Sequence, residues 1–584
     1  MSGLEFHQIG VRFGRTATGR CEALRDFTLH CPPGTISGLV GPNGAGKSTA
    51  LAAAAGLLAP TAGRISVGGV PVDPAVAPTA TGYLPQQSSF PRVLRVAEVL
   101  ELALAARGAA AAVRRQVLAV TGLEAHLDRP VAELSGGWLR RLGLASALVT
   151  SGQSLLLLDE PFVGLDPDTL DRLVVHLRER AEDGAAVLVA SHDFEVLDLL
   201  QPRVAVLDEG VLVGTVPEAT GCRAVYRRYL SREPPAENAT TTPRVATASA
   251  SEPASVPAPE PAAAAEPVPE GSKRRHPVLL IARREVTLLR RGRTAWAAFG
   301  LLAAIAWLPA LLVPLRAGAM GLAAFEETTL LTLALGGVVL PLLALLAGAD
   351  LLAGEIEDGS LAPVLTLPVS RTACFLGKAV ARAGLLGLVY LVSFVSAGVA
   401  VAVLQGADSW RDYAAVAVSG LFLCLACGGI GALLGAAGRG RLRAFSAALV
   451  TWLVLVVALD TLLLALVVAQ APAAPAEVGV HGHDELVAPA APPFHDPHAH
   501  GDHRPETAAV TAGSPLIWLM LLDPVDVYRL TALSAAPSLR ARLALALPSG
   551  GLSGRWLPLM AGWWVWWVVP PLLALWRFRR VGLK

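Results

Sequence analysis

Two carboxylates close the run Leu155-Leu156-Leu157-Leu158-Asp159-Glu160, and a histidine closes Val187-Leu188-Val189-Ala190-Ser191-His192. Both apolar runs read as strands buried on two faces. That puts the acidic pair and the imidazole at strand ends, where open α/β sheets bind their ligands. An acidic pair there has no packing reason to be present. Asp159 is placed to hold Mg²⁺ through water, and Glu160 to polarise an attacking water as general base. His192 is either a solvated histidine or a contact for a γ-phosphate.

The substrate for such chemistry is suggested by Gly41-Pro42-Asn43-Gly44-Ala45-Gly46-Lys47-Ser48-Thr49. An apolar run, Ile36 to Val40, precedes it, and an Ala/Leu-rich helical stretch begins near Ser48. Strand, glycine turn and helix N-terminus are the context of a phosphate-binding loop. Glycines admit positive φ and let successive N–H groups face an anion, and the helix dipole adds favourable partial charge. Lys47 would reach the β/γ-phosphates and the Ser48 hydroxyl would ligate Mg²⁺.

Other residues fall around these. Leu4 to Phe13 and Ala23 to Cys31 read as strands, as does Gly63 to Val70 with a turn at Gly68-Gly69. Phe13 serves either the core or a stack against an adenine base. Gln86 follows the short strand Gly82 to Leu84; a loop glutamine is usually solvated, but beside a nucleotide it can ligate Mg²⁺ or orient water. Ser135-Gly136-Gly137 ahead of a helical run reads as an N-cap or as a second anion site. Gly164-Leu165-Asp166 follows the acidic pair.

In type and order these motifs resemble the ATP-binding cassette (ABC) ATPases over essentially all of residues 1 to 220. The resemblance implies a Walker A loop with Gly41, Asn43, Gly44, Gly46, Lys47, Ser48 and Thr49, and a Q-loop at Gln86. It implies a signature motif at Ser135, Gly136 and Gly137, a Walker B Asp159, a catalytic Glu160, a D-loop Asp166 and a switch His192. Phe13 falls where the family places its adenine-stacking aromatic. Trp138 stands where the signature usually has Gln. An active ATPase using ATP and Mg²⁺ is implied. In this family the signature completes the site of the opposite subunit, so a single cassette in the chain implies a homodimer.

A chain of 584 residues is too long for one core. The net charge of +1 with no basic stripe excludes a nucleic-acid partner. The six cysteines, Cys21, Cys31, Cys222, Cys374, Cys424 and Cys427, are too scattered for a disulfide framework. Met1 to Gly10 carries Glu5, His7 and Gln8, so no cleaved leader is expected and the N-terminus is placed in the cytoplasm. Three parts are expected: residues 1–230 an α/β P-loop NTPase domain, 231–276 a Pro/Ala-rich disordered linker, and 277–584 an all-α six-helix membrane domain.

Pro277 to Arg293 interleaves apolar and basic residues and suggests an interfacial helix. Spans are expected at about 295–315, 328–352, 376–403, 414–437, 444–469 and 556–576. Basic loops at Arg371, Lys378 and Arg382, at Arg439, Arg441 and Arg443, and at Arg577, Arg579, Arg580 and Lys584 fall on one side if the N-terminus is cytoplasmic. The prediction is a multi-pass cell (plasma) membrane protein with its ATPase domain cytoplasmic. Asp350 and Asp460 fall in or at the edge of spans, where charge is costly. Cys424 and Cys427, inside the fourth expected span, read chiefly as small packing residues.

Gly354 to Leu361 with Leu367 to Arg371 resembles the segment of ABC-2-type permeases that docks on the cassette, which makes Glu355 and Glu357 candidates for coupling. The loop 470–555 is expected outside. It carries His481, His483, His495, His498, His500 and His503, either a loose copper, zinc or nickel site or low-complexity sequence. With Pro524-x-Asp526-x-x-Arg529, the coupling segment looks like the permease of the nitrous-oxide-reductase maturation (Nos) transporter. That likeness implies export or copper/sulfur supply with an extracytoplasmic copper-processing partner. A multidrug, peptide or lipid exporter is the alternative, and so is a mechanotransmitter that drives an outside partner.

Overall fold

Leu155 to Leu158 are wholly buried, because the strand they form is covered on both faces. The computed structural model describes residues 3–16, 19–73, 81–150, 154–217, 221–230, 276–317, 322–405, 410–438, 440–459, 461–462, 520–536 and 556–580. The chain divides into two units. One is built on the residues up to Leu288 together with Asp358–Lys378, the other on Leu289–Glu357 and the chain from Ala379 onward.

In the first unit the order is β1 (Leu4–Thr16), β2 (Gly19–Cys31), β3 (Ile36–Val40), α1 (Lys47–Ala54), β4 (Ala62–Val67), β5 (Val70–Pro71), β6 (Thr81–Leu84), α2 (Val96–Arg107), α3 (Ala111–Thr121) and α4 (Gly136–Leu148). It continues with β7 (Leu155–Asp159), α5 (Pro167–Glu182), β8 (Ala186–Ala190), α6 (Phe194–Leu199), β9 (Arg203–Asp208), β10 (Val211–Val216) and α7 (Cys222–Leu230). Strands β10-β9-β3-β8-β7-β6 form one sheet and β2-β1-β4-β5 a second. From β9 to β6 the pairings are parallel, and β10 returns antiparallel on β9.

Parallel order brings the C-terminal ends of β3, β8 and β7 side by side, so three loops meet at one sheet edge. The second sheet is antiparallel throughout. In β1 the alternation of buried residues breaks between Phe6 and Ile9, where the register shifts and Gln8 adopts φ 49°. A bulge there turns Ile9 back into the core.

In the second unit the long helices are α9 (Arg293–Ala317), α10 (Leu322–Glu357), α12 (Arg371–Gln405, entered from the first unit), α13 (Trp410–Ala437) and α14 (Arg441–Leu453), which runs into a π-turn at Val454–Ala458. Helix α8 (Pro277–Arg291), up to Leu288, and the short α11 (Ala362–Leu365) belong to the first unit and precede α9 and α12 respectively. Helices Pro524–Ala535 and Trp556–Arg580 are also described in the second unit.

Among the described residues five helices are long and apolar enough to cross a membrane: Trp296–Val313, Glu326–Glu357, Arg371–Val403, Trp410–Ala437 and Arg441–Ala458. The expected sixth span, 556–576, falls within Trp556–Arg580, and the fifth is followed only to residue 462. Close approach of α10 and α13 depends on small residues. A Cβ on Gly431 would stand 2.3 Å from the Leu345 carbonyl oxygen, and one on Gly348 2.2 Å from that of Gly428. Cys424 and Cys427 are buried in the same core.

Three of the basic residues behind the expected orientation, Lys378, Arg382 and Arg441, are held in ion pairs. Within the first unit Lys378 Nζ lies 2.7 Å from Glu285 of α8, both buried, so this helix does not present all its charge outward. Within the second, Asp350 faces Arg382 at 3.3 Å and Arg441 Nε at 2.8 Å. Asp460 lies outside the described residues.

Candidate functional site

The loop after β3 can only be built with glycine at two points. Gly46 sits at φ +107°, and a Cβ there would stand 2.4 Å from the Ala23 carbonyl oxygen. A Cβ on Gly41 would stand 2.1 Å from the Leu207 carbonyl oxygen. The chain is thereby packed against β2 and β9 while Asn43 and Gly44 stay exposed. Lys47 opens α1, and its Nζ donates to the carbonyls of Gly41 and Pro42 at 2.7 and 3.0 Å. Burial lowers its pKa, against the opposing pull of Glu160 and Asp159. Thr49 follows on the same helix, half-buried.

Asp159 ends β7 almost fully buried. Burial raises the Asp159 pKa, against the opposing pull of the Ser48 hydroxyl. Asp159 Oδ2 has no hydrogen-bond partner among the described residues. A buried, unpartnered carboxylate oxygen beside a hydroxyl is an all-oxygen donor set suited to Mg²⁺, so these residues fit that cation.

Glu160 follows in the left-handed region, φ 51°, a conformation that costs a non-glycine residue about 1 kcal/mol or more and collects at functional sites. Its N–H donates to the Ala190 carbonyl at 2.8 Å, which ties it to the end of β8. Ser191 Oγ donates to Oε2 at 3.0 Å, and His192 Nδ1 lies 2.8 Å from Oε1. An ionised Glu160 can only accept, and His192 would then donate from Nδ1.

The sequence placed Gln86 on a loop, and it is exposed after β6. Phe13 is half-buried on β1, opposite Cys21. Ser135 stands at the N-cap of α4 but its side chain makes no capping bond, so the expected Ser cap is absent; the side chain is exposed, as is Gly136. Gly137 lies against Gly164. Asp166 caps α5, accepting from Thr169 N at 2.8 Å, and pairs with Arg141. Trp138 stacks on His126 with ring centroids 3.8 Å apart, and the Arg141 guanidinium lies 4.4 Å from its ring centroid. The residue that departs from the expected signature pattern is thus absorbed into a packed aromatic–cation cluster.

One residue of the site escaped the sequence reading. Arg140 is buried on α4 and donates through Nη1 to the carbonyls of Pro85 and Gln86 at 2.5 and 2.9 Å. Through Nη2 it donates to those of Asp159 and Glu160, the latter at 2.7 Å. Helical spacing was the available signal. Arg140, Leu144, Ala147 and Leu148 share the buried face of α4, while Arg141 falls beside it.

Glu355 and Glu357 belong to the last turn of α10. Glu357 accepts from the Arg441 backbone N–H at 2.5 Å. In the first unit Arg371 donates to the Leu57 carbonyl at 3.3 Å. Asp526 pairs with Arg529 at 3.5 Å, and Asp523 caps the helix they share, which gives the Pro524-x-Asp526-x-x-Arg529 pattern a packing role. The histidines at 481–503 lie outside the described residues. Among the described ones no group of three His, Cys, Asp or Glu could hold a metal ion.

Residues 24–163 match the ABC transporter family, and residues 279–583 match the ABC-2 family transporter proteins. The chain belongs to the ABC transporters. Its membrane half is of the ABC-2 family. The cassette is 34% identical over 238 residues to the Nod factor export ATP-binding protein I of Rhizobium etli, a match spanning 38% of this chain and 73% of that protein. It is 36% identical over 230 residues to the zinc import ATP-binding protein ZnuC of Cereibacter sphaeroides, spanning 39% and 88%. A solved ATP-binding subunit of an ABC transporter is 28% identical, with a TM-score of 0.34, covering 38% of this chain and 92% of that one. This ABC transporter is therefore an ATP-hydrolysing, multi-pass membrane protein with its ATPase domain on the cytoplasmic side.

Proposed function

We propose that this ABC transporter is a homodimeric half-transporter, in which two cassettes close around one ATP per chain and hydrolysis resets them. The observation that carries this reading is the meeting of Lys47, Ser48, Asp159, Glu160 and His192 at the ends of the neighbouring strands β3, β7 and β8. Lys47 and the N–H groups of residues 41–49 would hold the terminal phosphates. Ser48 and Gln86, with Asp159 through water, would hold Mg²⁺, which when bound neutralises charge on the phosphate oxygens. Glu160 takes the proton of the attacking water, and His192 steadies that carboxylate and faces the γ-phosphate. Phe13 stacks on the adenine. Ser135, Gly136 and Gly137, at the exposed start of α4, complete the partner's site, with Asp166 beside them.

We assign residues 1–230 to the cassette, 231–276 to a linker and 277–584 to the permease, with 354–371 as the coupling segment. Grouping of Asp358–Lys378 with the cassette, and the Arg371 bond to Leu57, support the last assignment. The cassette relatives are named for Nod factor export and for zinc import, which supports ATP-driven transport and names no cargo for this chain.

Phosphate release by the full chain in nanodiscs tests the reading. Glu160→Gln should lower turnover about 100-fold or more while each chain retains ATP and the dimer persists on sizing. Hydrolysis at the normal rate would remove Glu160 from the mechanism.

A narrower reading is that the work serves copper, as copper/sulfur supply for nitrous oxide reductase assembly. Six histidines between His481 and His503 support it. Copper and zinc content of the purified chain, with and without 481–503, separates this from a drug, peptide or lipid exporter or a mechanotransmitter. Copper lost with the loop favours the copper role, and a metal-free intact chain excludes it.

A further inference from the structure

The signature helix, the Q-loop and the catalytic turn meet on one guanidinium. Arg140 lies on the buried face of α4, whose first turn carries Gly136 and Gly137. One amino group binds the Pro85 and Gln86 carbonyls and the other those of Asp159 and Glu160. Glu160 is the residue held at φ 51°. Its N–H is fixed by Ala190 and its carbonyl by Arg140, so the strained turn is held at both ends of the residue.

We infer that Arg140 is a positioning residue, which sets the Glu160 turn and the Gln86 loop relative to α4, so that a displacement of any one registers at the other two. This rests on the proposed roles of Glu160 and Gln86. A planar fork is required because the two acceptor pairs belong to separate segments. A lysine ammonium is a single point and cannot serve both. The seat is also too buried for the charge to remain without several acceptors, and four carbonyls supply them.

The test is ATP binding and phosphate release by the full chain in nanodiscs carrying Arg140→Lys, alone and with Gln86→Ala. Arg140→Lys is expected to lower kcat about 10-fold or more through misplaced catalytic groups, with ATP affinity held within about 3-fold. In the Gln86→Ala background the same change should cost distinctly less, because both act through one loop. Arg140→Gln, which keeps two donors on one edge, replaces it if the lysine variant loses ATP binding. An unchanged kcat, a parallel loss of kcat and affinity in both variants, or full additivity with Gln86→Ala overturns the inference. Glu160→Gln in the same preparation separates the two readings. If it is inactive and Arg140→Lys is normal, only the positioning role falls; if it hydrolyses normally, both fall.

Discussion

His192 Nδ1 stands 2.8 Å from Glu160 Oε1, a ring two-thirds exposed against a carboxylate nine-tenths covered. The histidine is therefore the outer member of the pair, and what it fixes is the direction of the inner one. Ser191 Oγ holds the second carboxylate oxygen, so removing the imidazole loosens Glu160 without freeing it. His192→Ala is expected to lower kcat by about 10- to 100-fold, less than Glu160→Gln, and to leave ATP affinity near its starting value. Phosphate-release kinetics beside equilibrium nucleotide binding measure both quantities.

On the proposed mechanism Asp159 would offer one buried, unpartnered oxygen to Mg²⁺ beside the Ser48 hydroxyl. Chelation of Mg²⁺ should stop turnover. Asp159→Asn keeps the shape but removes the charge, and should raise the Mg²⁺ concentration for half-maximal activity by about 10- to 100-fold. A Mg²⁺ titration of the ATPase rate reads this directly, and an unchanged midpoint would detach Asp159 from the cation.

Burial pushes His176, on α5, down to about 4. Its Nδ1 lies 3.4 Å from Gln116 Nε2, and its Nε2 has no hydrogen-bond partner among the described residues. The unfolded chain binds this proton from about pH 6.5 downward while the folded chain resists it until about 4. Stability from neutral His176 is thus fully present above about pH 6.5 and declines as pH falls toward 4, by up to about 3 kcal/mol. Thermal unfolding of the full chain between pH 7 and 4.5 should show the decline, and His176→Gln should flatten it.

Gly431 meets Leu345 where α10 and α13 pass. Gly431→Val forces backbone apart, and overpacking of this kind costs about 1–3 kcal/mol. The membrane unit should melt several degrees lower in detergent while ATP binding persists. A melting temperature equal to the parent's would show that the two helices can separate at no cost.

Much of the cassette was legible because its signals are local. Strand β7 follows from an unbroken leucine run, β3 from a short apolar run broken by Ser37 and Gly38, and the phosphate loop from glycine spacing. Strands β1 and β2 run further than their apolar pattern, to Thr16 and from Gly19, because they pair with one another out to those residues. Arg140 was missed for a different reason. All its acceptors are main-chain carbonyls from residues roughly twenty and fifty-five positions away, and no residue type in those segments announces that they need a donor. The same holds for Glu357, whose partner is the Arg441 backbone, and for the Glu285–Lys378 pair, which joins helices far apart in sequence.

Because the four acceptors of Arg140 are peptide oxygens, its grip is indifferent to which side chains occupy positions 85, 86, 159 and 160. Replacing Gln86, Asp159 or Glu160 therefore removes a functional group and leaves the mooring beneath it in place. The scaffold and the reagents of this enzyme are held by different atoms. On the proposed mechanism these side chains can be exchanged one at a time, and the rate that remains in each variant should measure chemistry rather than collapse.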